Sequence, residues 1–224
     1  MRSTPLPTHD RARASLVAAA ARLFHTGVMS HSGHANLSTR VSPERILLTT
    51  GGFVEALTPD ALAVVQIDGT VVEGTLDPAN AEIVMMHTRV YQARPSIGAI
   101  IHTHSPHLLA FALANQPLPD RYEALLRFGQ TEAVPVAPWA PRGTERSVGA
   151  IVDLVTAHPD TRAVLLGNHG VLVFGSSPDA TVSLLVVLEE AAEAELRAAT
   201  LGGARDLEAG ALEAVRAGMA RVGS

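Results

Sequence analysis

Residues 98–106 read Gly-Ala-Ile-Ile-His-Thr-His-Ser-Pro. The run over 98–103 is short, apolar and β-branched, which predicts a strand buried on both faces. Side chains alternate along a strand, so His102 and His104 project from one face, where two imidazoles can reach a single ion. A His-x-His pair by itself is most often polar surface. Here the flanking residues read as buried, and two buried imidazoles without a shared partner are costly. A third nitrogen is available from His169 in Gly167-Asn168-His169-Gly170, where the glycines indicate a tight backbone. Read in isolation, the same stretch is a hairpin turn carrying an incidental histidine. Three histidines with one coordination position left open are the arrangement of a catalytic zinc site.

Outward from this strand, the pattern alternates between helix and sheet. Leu16, Val17, Ala20, Leu23 and Phe24 recur at helical spacing over residues 10–25, with Asp10 as the cap. A Gly/Ser/His-rich loop follows over 27–35. Strands are predicted near 36–41 and 46–49, the second closing at the turn Thr50-Gly51-Gly52. Residues 63–67 and 70–72 flank Asp68-Gly69, a hairpin signal. Asp77-Pro78 opens a helix that runs to about residue 93 and stops before Pro95. Beyond the central strand come a short helix at 105–115, a strand at 134–136 and a Pro-rich loop at 137–143. A helix over about 146–157, strands at 163–166 and 171–174, a long helix over about 178–200 and a last helix over roughly 204–220 complete the chain. Residues 1–9 read as a loose tail. With no repeat and no dividing linker, the expected fold is one layered α/β domain over residues 1–224, with a largely antiparallel or mixed central sheet.

The chain has 224 residues, 47% hydrophobic and 17% charged, a globular balance. Seventeen basic against 22 acidic side chains give a formal charge of −5, which argues against nucleic-acid binding. There is no cysteine, so disulfides, thiolate nucleophiles and Cys-based metal sites are excluded, and the ten histidines are the strong nitrogen ligands. No stretch approaches the ~20 apolar residues of a membrane span. Arg11, Arg13 and Arg22 among alanines read as a first helix rather than a transit peptide, and no signal-peptide core is seen, so the expected compartment is the cytoplasm.

The ordered set Asn36-Leu37-Ser38-Thr39-Arg40, Thr50-Gly51, Glu82, His87 and Tyr91, His102-Thr103-His104-Ser105-Pro106 and Asn168-His169-Gly170 resembles the class II aldolase/adducin family over roughly residues 12–200. The resemblance implies that His102, His104 and His169 bind a divalent metal, commonly zinc, with Mn2+, Co2+ or Fe2+ as alternatives. It implies that Glu82 is the acid/base, with a place as fourth metal ligand until substrate arrives as the alternative, and that Asn36, Thr50 and Gly51 line a pocket for the anionic or polar end of a small-molecule substrate. It further implies a single three-layer α/β/α domain and a homotetramer with active sites between neighbouring subunits. The non-catalytic adducin branch lacks the metal histidines, and this chain keeps all three. His87 reads as a core histidine or one that supports a ligand.

The chemistry needs such groups. Breaking a carbon–carbon bond beside a carbonyl leaves an electron pair, which a Lewis-acidic ion accepts as an enediolate. Neutral imidazoles leave the ion most of its charge, and an adjacent carboxylate moves the proton. No lysine lies in these motifs, so a Schiff base is not in play.

Three departures from the family pattern bear on substrate. Two serines that commonly precede the glutamate are Asn80 and Ala81 here, which reduces two hydroxyl donors for a phosphate to at most one amide. The step from Glu82 to His87 is five residues against the commoner four, so a bulge or a non-helical Glu82 is expected to absorb the extra rotation of about 100°. The place of a family tyrosine is taken by Trp139, whose indole donates a hydrogen bond but is no acid at neutral pH. Arg142, in the same loop, either holds a substrate carboxylate through a bidentate pair or is a solvated loop arginine. The expected activity is a metal-dependent carbon–carbon lyase, most simply a class II aldolase cleaving a hydroxylated ketone or ketose, phosphorylated or not. A decarboxylase of a hydroxylated aromatic or sugar acid is the nearest alternative. A non-catalytic adducin-like binding protein is the alternative of another class.

Overall fold

The structure, a computed structural model, describes residues 9–222 apart from the side chains of residues 79, 81 and 222. Of the expected tail, residues 1–8 lie outside the described residues. Helix α1 (Asp10–His25) leads into the antiparallel strands β1 (Ala35–Ser42), β2 (Arg45–Thr49), β3 (Leu62–Gln66) and β4 (Val71–Glu73). A single 3-10 turn (Pro78–Asn80) opens α2 (Ala81–Ala93), followed by β5 (Ala99–Thr103), α3 (Pro106–Ala114), α4 (Glu123–Arg127) and β6 (Val136–Ala137). Then come α5 (Glu145–Ala157), β7 (Ala163–Leu166), β8 (Gly170–Gly175), α6 (Pro178–Ala198) and α7 (Ala211–Val222).

The eight strands form one sheet in the order β4-β3-β2-β1-β5-β8-β7-β6, antiparallel throughout except for the β6–β7 pair. The sheet is therefore mixed, and strand alternation gives it two apolar faces. Leu37, Leu47, Val64, Ile101, Val171 and Val173 pack against Leu16 and Leu23 of α1, Leu108 of α3 and Leu184 and Leu188 of α6. On the other face Ile46, Leu48, Val65, Ile100, Leu172 and Phe174 meet Ile83, Val90 and Tyr91 of α2 and Val148, Ile151 and Val155 of α5. Helices on both sides of a mixed sheet make the expected three layers. All five residues of β5 are buried, as the apolar run predicts.

Several boundaries differ from the sequence reading. His9 occupies the cap position of α1 without a side-chain hydrogen bond, and Asp10 sits inside the first turn, where its charge meets the positive end of the helix dipole. The strand expected at 134–136 is the two-residue β6. Val134 instead makes an isolated bridge to Leu118. Helix α4, five residues long, had no counterpart in the sequence pattern. The last helix starts at Ala211 rather than near residue 204, because Gly202, Gly203 and Gly210 adopt φ of +96°, +94° and +87°, a left-handed backbone that no helix continues through.

A candidate metal centre and its cleft

His102 lies on β5, paired with Asn36 of β1 on one side and Leu172 of β8 on the other. His104 stands one residue beyond the end of that strand. His169 sits in the turn between β7 and β8, beside Asn168, whose φ of +58° is left-handed. Gly170 then passes so near the end of β5 that a Cβ there would lie 2.6 Å from the Thr103 carbonyl oxygen and 2.7 Å from His104 Cδ2. Glycine at 170 thus permits the approach that carries His169 to the other two. The candidate ligand atoms of His102, His104 and His169 lie within 4.8 Å of one another. Their ring centroids are 4.7 to 5.1 Å apart.

The protonation of the cluster suits a cation. The Nδ1–H of His102 donates to the Val171 carbonyl at 3.0 Å, which leaves Nε2 with a free lone pair. Burial, then the neighbouring His169 and His104, hold His102 well below the usual imidazole range. Burial, then His104, Arg142 and His34, bring His169 down to about 4. His104 is lowered by burial, then by His34 and Arg142. Its Nε2 is buried without a hydrogen-bond partner. An orphaned polar atom of that kind costs about 1–3 kcal/mol unless something satisfies it. Three neutral imidazoles, one with an orphaned nitrogen, fit a divalent metal ion of the borderline class.

His102 and His169 of the triad line a cleft whose polar residues also include Asn36, Glu82, Trp139 and Arg142. Its other walls are apolar, from Ile83 and Met86 on α2 and Val148 and Ile151 on α5. Glu82 is in the first turn of α2 and forms an ion pair with Arg142. The expected bulge or non-helical Glu82 is absent: the residue is helical. Five residues along an α-helix turn through about 140° net of a full revolution, so Glu82 faces the cleft while His87 faces the sheet. His87 is fully buried and hydrogen-bonded to Ser38 Oγ at 2.7 Å and Asn36 Oδ1 at 2.6 Å.

Thr50, Gly51 and Asn80 do not line this cleft. The Thr50 hydroxyl donates to the Ala61 carbonyl at 3.1 Å, and the Thr50 carbonyl accepts the Asp77 N–H at 2.9 Å, tying the end of β2 to the approach to α2. A Cβ on Gly51 would meet open space. Asn80 caps α2 positionally, is 3% exposed and has no partner for its Nδ2. Asn36 therefore reaches the cleft, while the other polar residues expected near it form a separate group around the start of α2.

One histidine at the site escaped the sequence reading. His34 stacks parallel to His104, 5.7 Å between centroids, and meets Phe53 edge-on at 5.6 Å. It belongs to the loop read only as Gly/Ser/His-rich. Its partner signal was Gly52, where a Cβ would lie 2.1 Å from the His34 ring.

The geometry has relatives. A 3-oxo-tetronate 4-phosphate decarboxylase from Haemophilus influenzae is 30% identical over 177 residues, covering 75% of this chain and 79% of its own. An L-fuculose phosphate aldolase from Escherichia coli is 30% identical over 137 residues, covering 61% of this chain and 60% of its own. The solved structure of an L-fuculose 1-phosphate aldolase superimposes with a TM-score of 0.81 at 25% identity, over 92% of this chain and 94% of that one. Residues 15–196 match the profile of the Class II Aldolase and Adducin N-terminal domain, and the chain belongs to that family.

Proposed function

We propose that this protein is a divalent-metal-dependent lyase of the class II aldolase kind, cleaving the carbon–carbon bond of a hydroxylated ketone or ketose beside its carbonyl. The observation that carries the reading is the convergence of three neutral imidazoles, one with an orphaned buried nitrogen, at a cleft that also holds a carboxylate. His102, His104 and His169 are the proposed ligands, and zinc suits the all-nitrogen set. A cation held there supplies Lewis acidity toward a carbonyl and its neighbouring hydroxyl. Glu82 takes the proton from the substrate hydroxyl and returns one to the product carbon. Arg142 and Asn36 orient the polar groups of the substrate, and the α2 and α5 side chains keep water from the reacting end. The whole chain contains no lysine, so imine chemistry has no nucleophile here.

The anionic end of the substrate is proposed to lie between Asn36 and the group formed by Thr50, Gly51 and Asn80. The support is the buried, unpartnered Asn80 Nδ2 at the start of α2, a helix end that favours negative charge. The relatives named above are named for a 3-oxo-tetronate 4-phosphate and an L-fuculose phosphate, and a phosphate fits such a subsite.

A decarboxylase is the second reading, and Trp139 favours it. The residue lines the cleft at the place where the resemblance gives some aldolases of the family a tyrosine, and neither of the chain's two tyrosines is among the lining residues. Release of CO2 needs no proton on the departing fragment, so an indole suffices there. The family resemblance supports a homotetramer, the folding of Arg11, Arg13 and Arg22 into α1 supports the cytoplasm, and the one sheet that takes in β1 to β8 supports a single domain. Incubating the metal-loaded protein with sugar phosphates and hydroxylated keto acids, while following aldehyde and CO2, separates the readings. Aldehyde release is the expected result. CO2 alone selects the decarboxylase, and no turnover together with no bound metal selects a binding protein.

A further inference from the structure

Beneath the cleft, a chain of four fully buried polar side chains runs from α2 to β1. The Tyr91 hydroxyl lies 3.0 Å from Ser38 Oγ, Ser38 Oγ lies 2.7 Å from His87 Nδ1, and His87 Nε2 lies 2.6 Å from Asn36 Oδ1. Tyr91, Ser38, His87 and Asn36 are each at most 1% exposed, and Asn36 is the only one of the four that lines the cleft. Such a chain can be polarised in two directions. If hydrogen bonds ran from Asn36 toward Tyr91, the amide would donate to His87, the imidazole to Ser38 and the serine to the tyrosine. The phenolic O–H would then have no acceptor among the described residues, and a buried orphan donor is expensive. Run the other way, every donor is used: Tyr91 donates to Ser38, Ser38 to Nδ1 of His87, and Nε2–H of His87 to Asn36 Oδ1. The Arg40 guanidinium, 4.7 Å above the Tyr91 ring, favours the phenol as donor rather than acceptor. Burial keeps His87 neutral, so it carries one N–H and must choose one tautomer.

We infer that Ser38 and His87 are positioning residues that lock the Asn36 amide with its oxygen occupied, so that it can meet the substrate only as a donor, through Nδ2. An amide free to flip would present a carbonyl oxygen half the time and repel an anionic group. Locked, it selects negatively charged or carbonyl oxygens in the cleft. This rests on the proposed role of Asn36 as a substrate contact, and it adds what fixes the sense of that contact.

The direct test is the tautomer of His87 in the metal-free wild-type protein, read from nitrogen-15 NMR of labelled histidine and assigned through ring correlations. The Nε2–H form is expected at neutral pH, unchanged in Tyr91→Phe, which keeps the Ser38 donor. Ser38→Ala should release the ring into a mixture. The Nδ1–H form in the wild type would overturn the inference. Binding of inorganic phosphate to the metal-loaded protein gives the functional half. Asn36→Ala should raise the Kd about tenfold, the loss of one hydrogen bond to a charged group. Ser38→Ala should raise it too, and the double variant no further than Asn36→Ala alone. A normal Kd in Ser38→Ala beside a raised one in Asn36→Ala would leave the contact standing and reject the lock. A normal Kd in Asn36→Ala would reject the contact itself, whatever the tautomer.

Discussion

Glu82 and His87 share one helix and serve different neighbours, and the five-residue step between them is what sends one to the cleft and the other to the sheet. Because the Glu82 carboxylate lies beside the imidazole cluster but not within it, Glu82→Gln should keep the metal and lose turnover by about 10²-fold or more, the usual worth of a positioned acid/base. Steady-state kinetics with metal analysis on the same sample checks this, and normal turnover would assign the proton transfer elsewhere. At this scale the sequence was legible where geometry is local. Strand alternation aims His102 and His104 to one side, and the glycines around His169 permit a close approach. His34 was not legible, because its place beside His104 depends on a bridge to Phe53 across two loops. The Glu82–Arg142 ion pair likewise joins residues that no local pattern connects.

At the scale of elements, the start of α3 holds the residue after the His-x-His segment in place, and a carboxylate from another helix secures it. Glu189 of α6, 7% exposed, accepts the His107 and Leu108 backbone N–H groups at 2.8 and 3.0 Å and the His107 ring Nδ1–H at 2.9 Å. It thereby satisfies donors that a helix start otherwise leaves unpaired. Glu189→Ala should cost about 2 kcal/mol of stability, read from denaturant unfolding, since a buried and a part-buried backbone donor lose their acceptor. In the sequence Glu189 is one of several acidic residues on an amphipathic helix, and nothing in the period of that helix tells a capping carboxylate from a solvated one. The long helices and the buried strands were legible because their apolar repeats are many residues long. The five-residue α4, the two-residue β6 and the glycine-delayed start of α7 fall below the length at which periodicity discriminates.

At the scale of the whole molecule, one sheet carries two apolar faces, and a polar seam is set into the face toward α2. That seam makes the fold acid-sensitive. Burial lowers His87 to about 3, against 6.5 for an ordinary histidine. Between those values the unfolded chain binds a proton that the folded chain refuses, so stability rises with pH across this window and is lost as pH falls below about 6.5. The loss from His87 alone reaches about 2 kcal/mol by pH 5, at 1.36 kcal/mol per unit. Metal-free protein unfolded in urea at pH 7 and pH 5 should show it, and a flat profile would mean that the buried imidazole protonates in place. The central claim is that three histidines distant in sequence form one metal site, and elemental analysis of the purified wild type beside His102→Ala, His104→Ala and His169→Ala tests it most directly. The account predicts a divalent ion in stoichiometric amount in the wild type and its loss from each variant, with circular dichroism unchanged. A wild type that binds no such ion when it is supplied, or a folded variant that keeps it, would contradict the account.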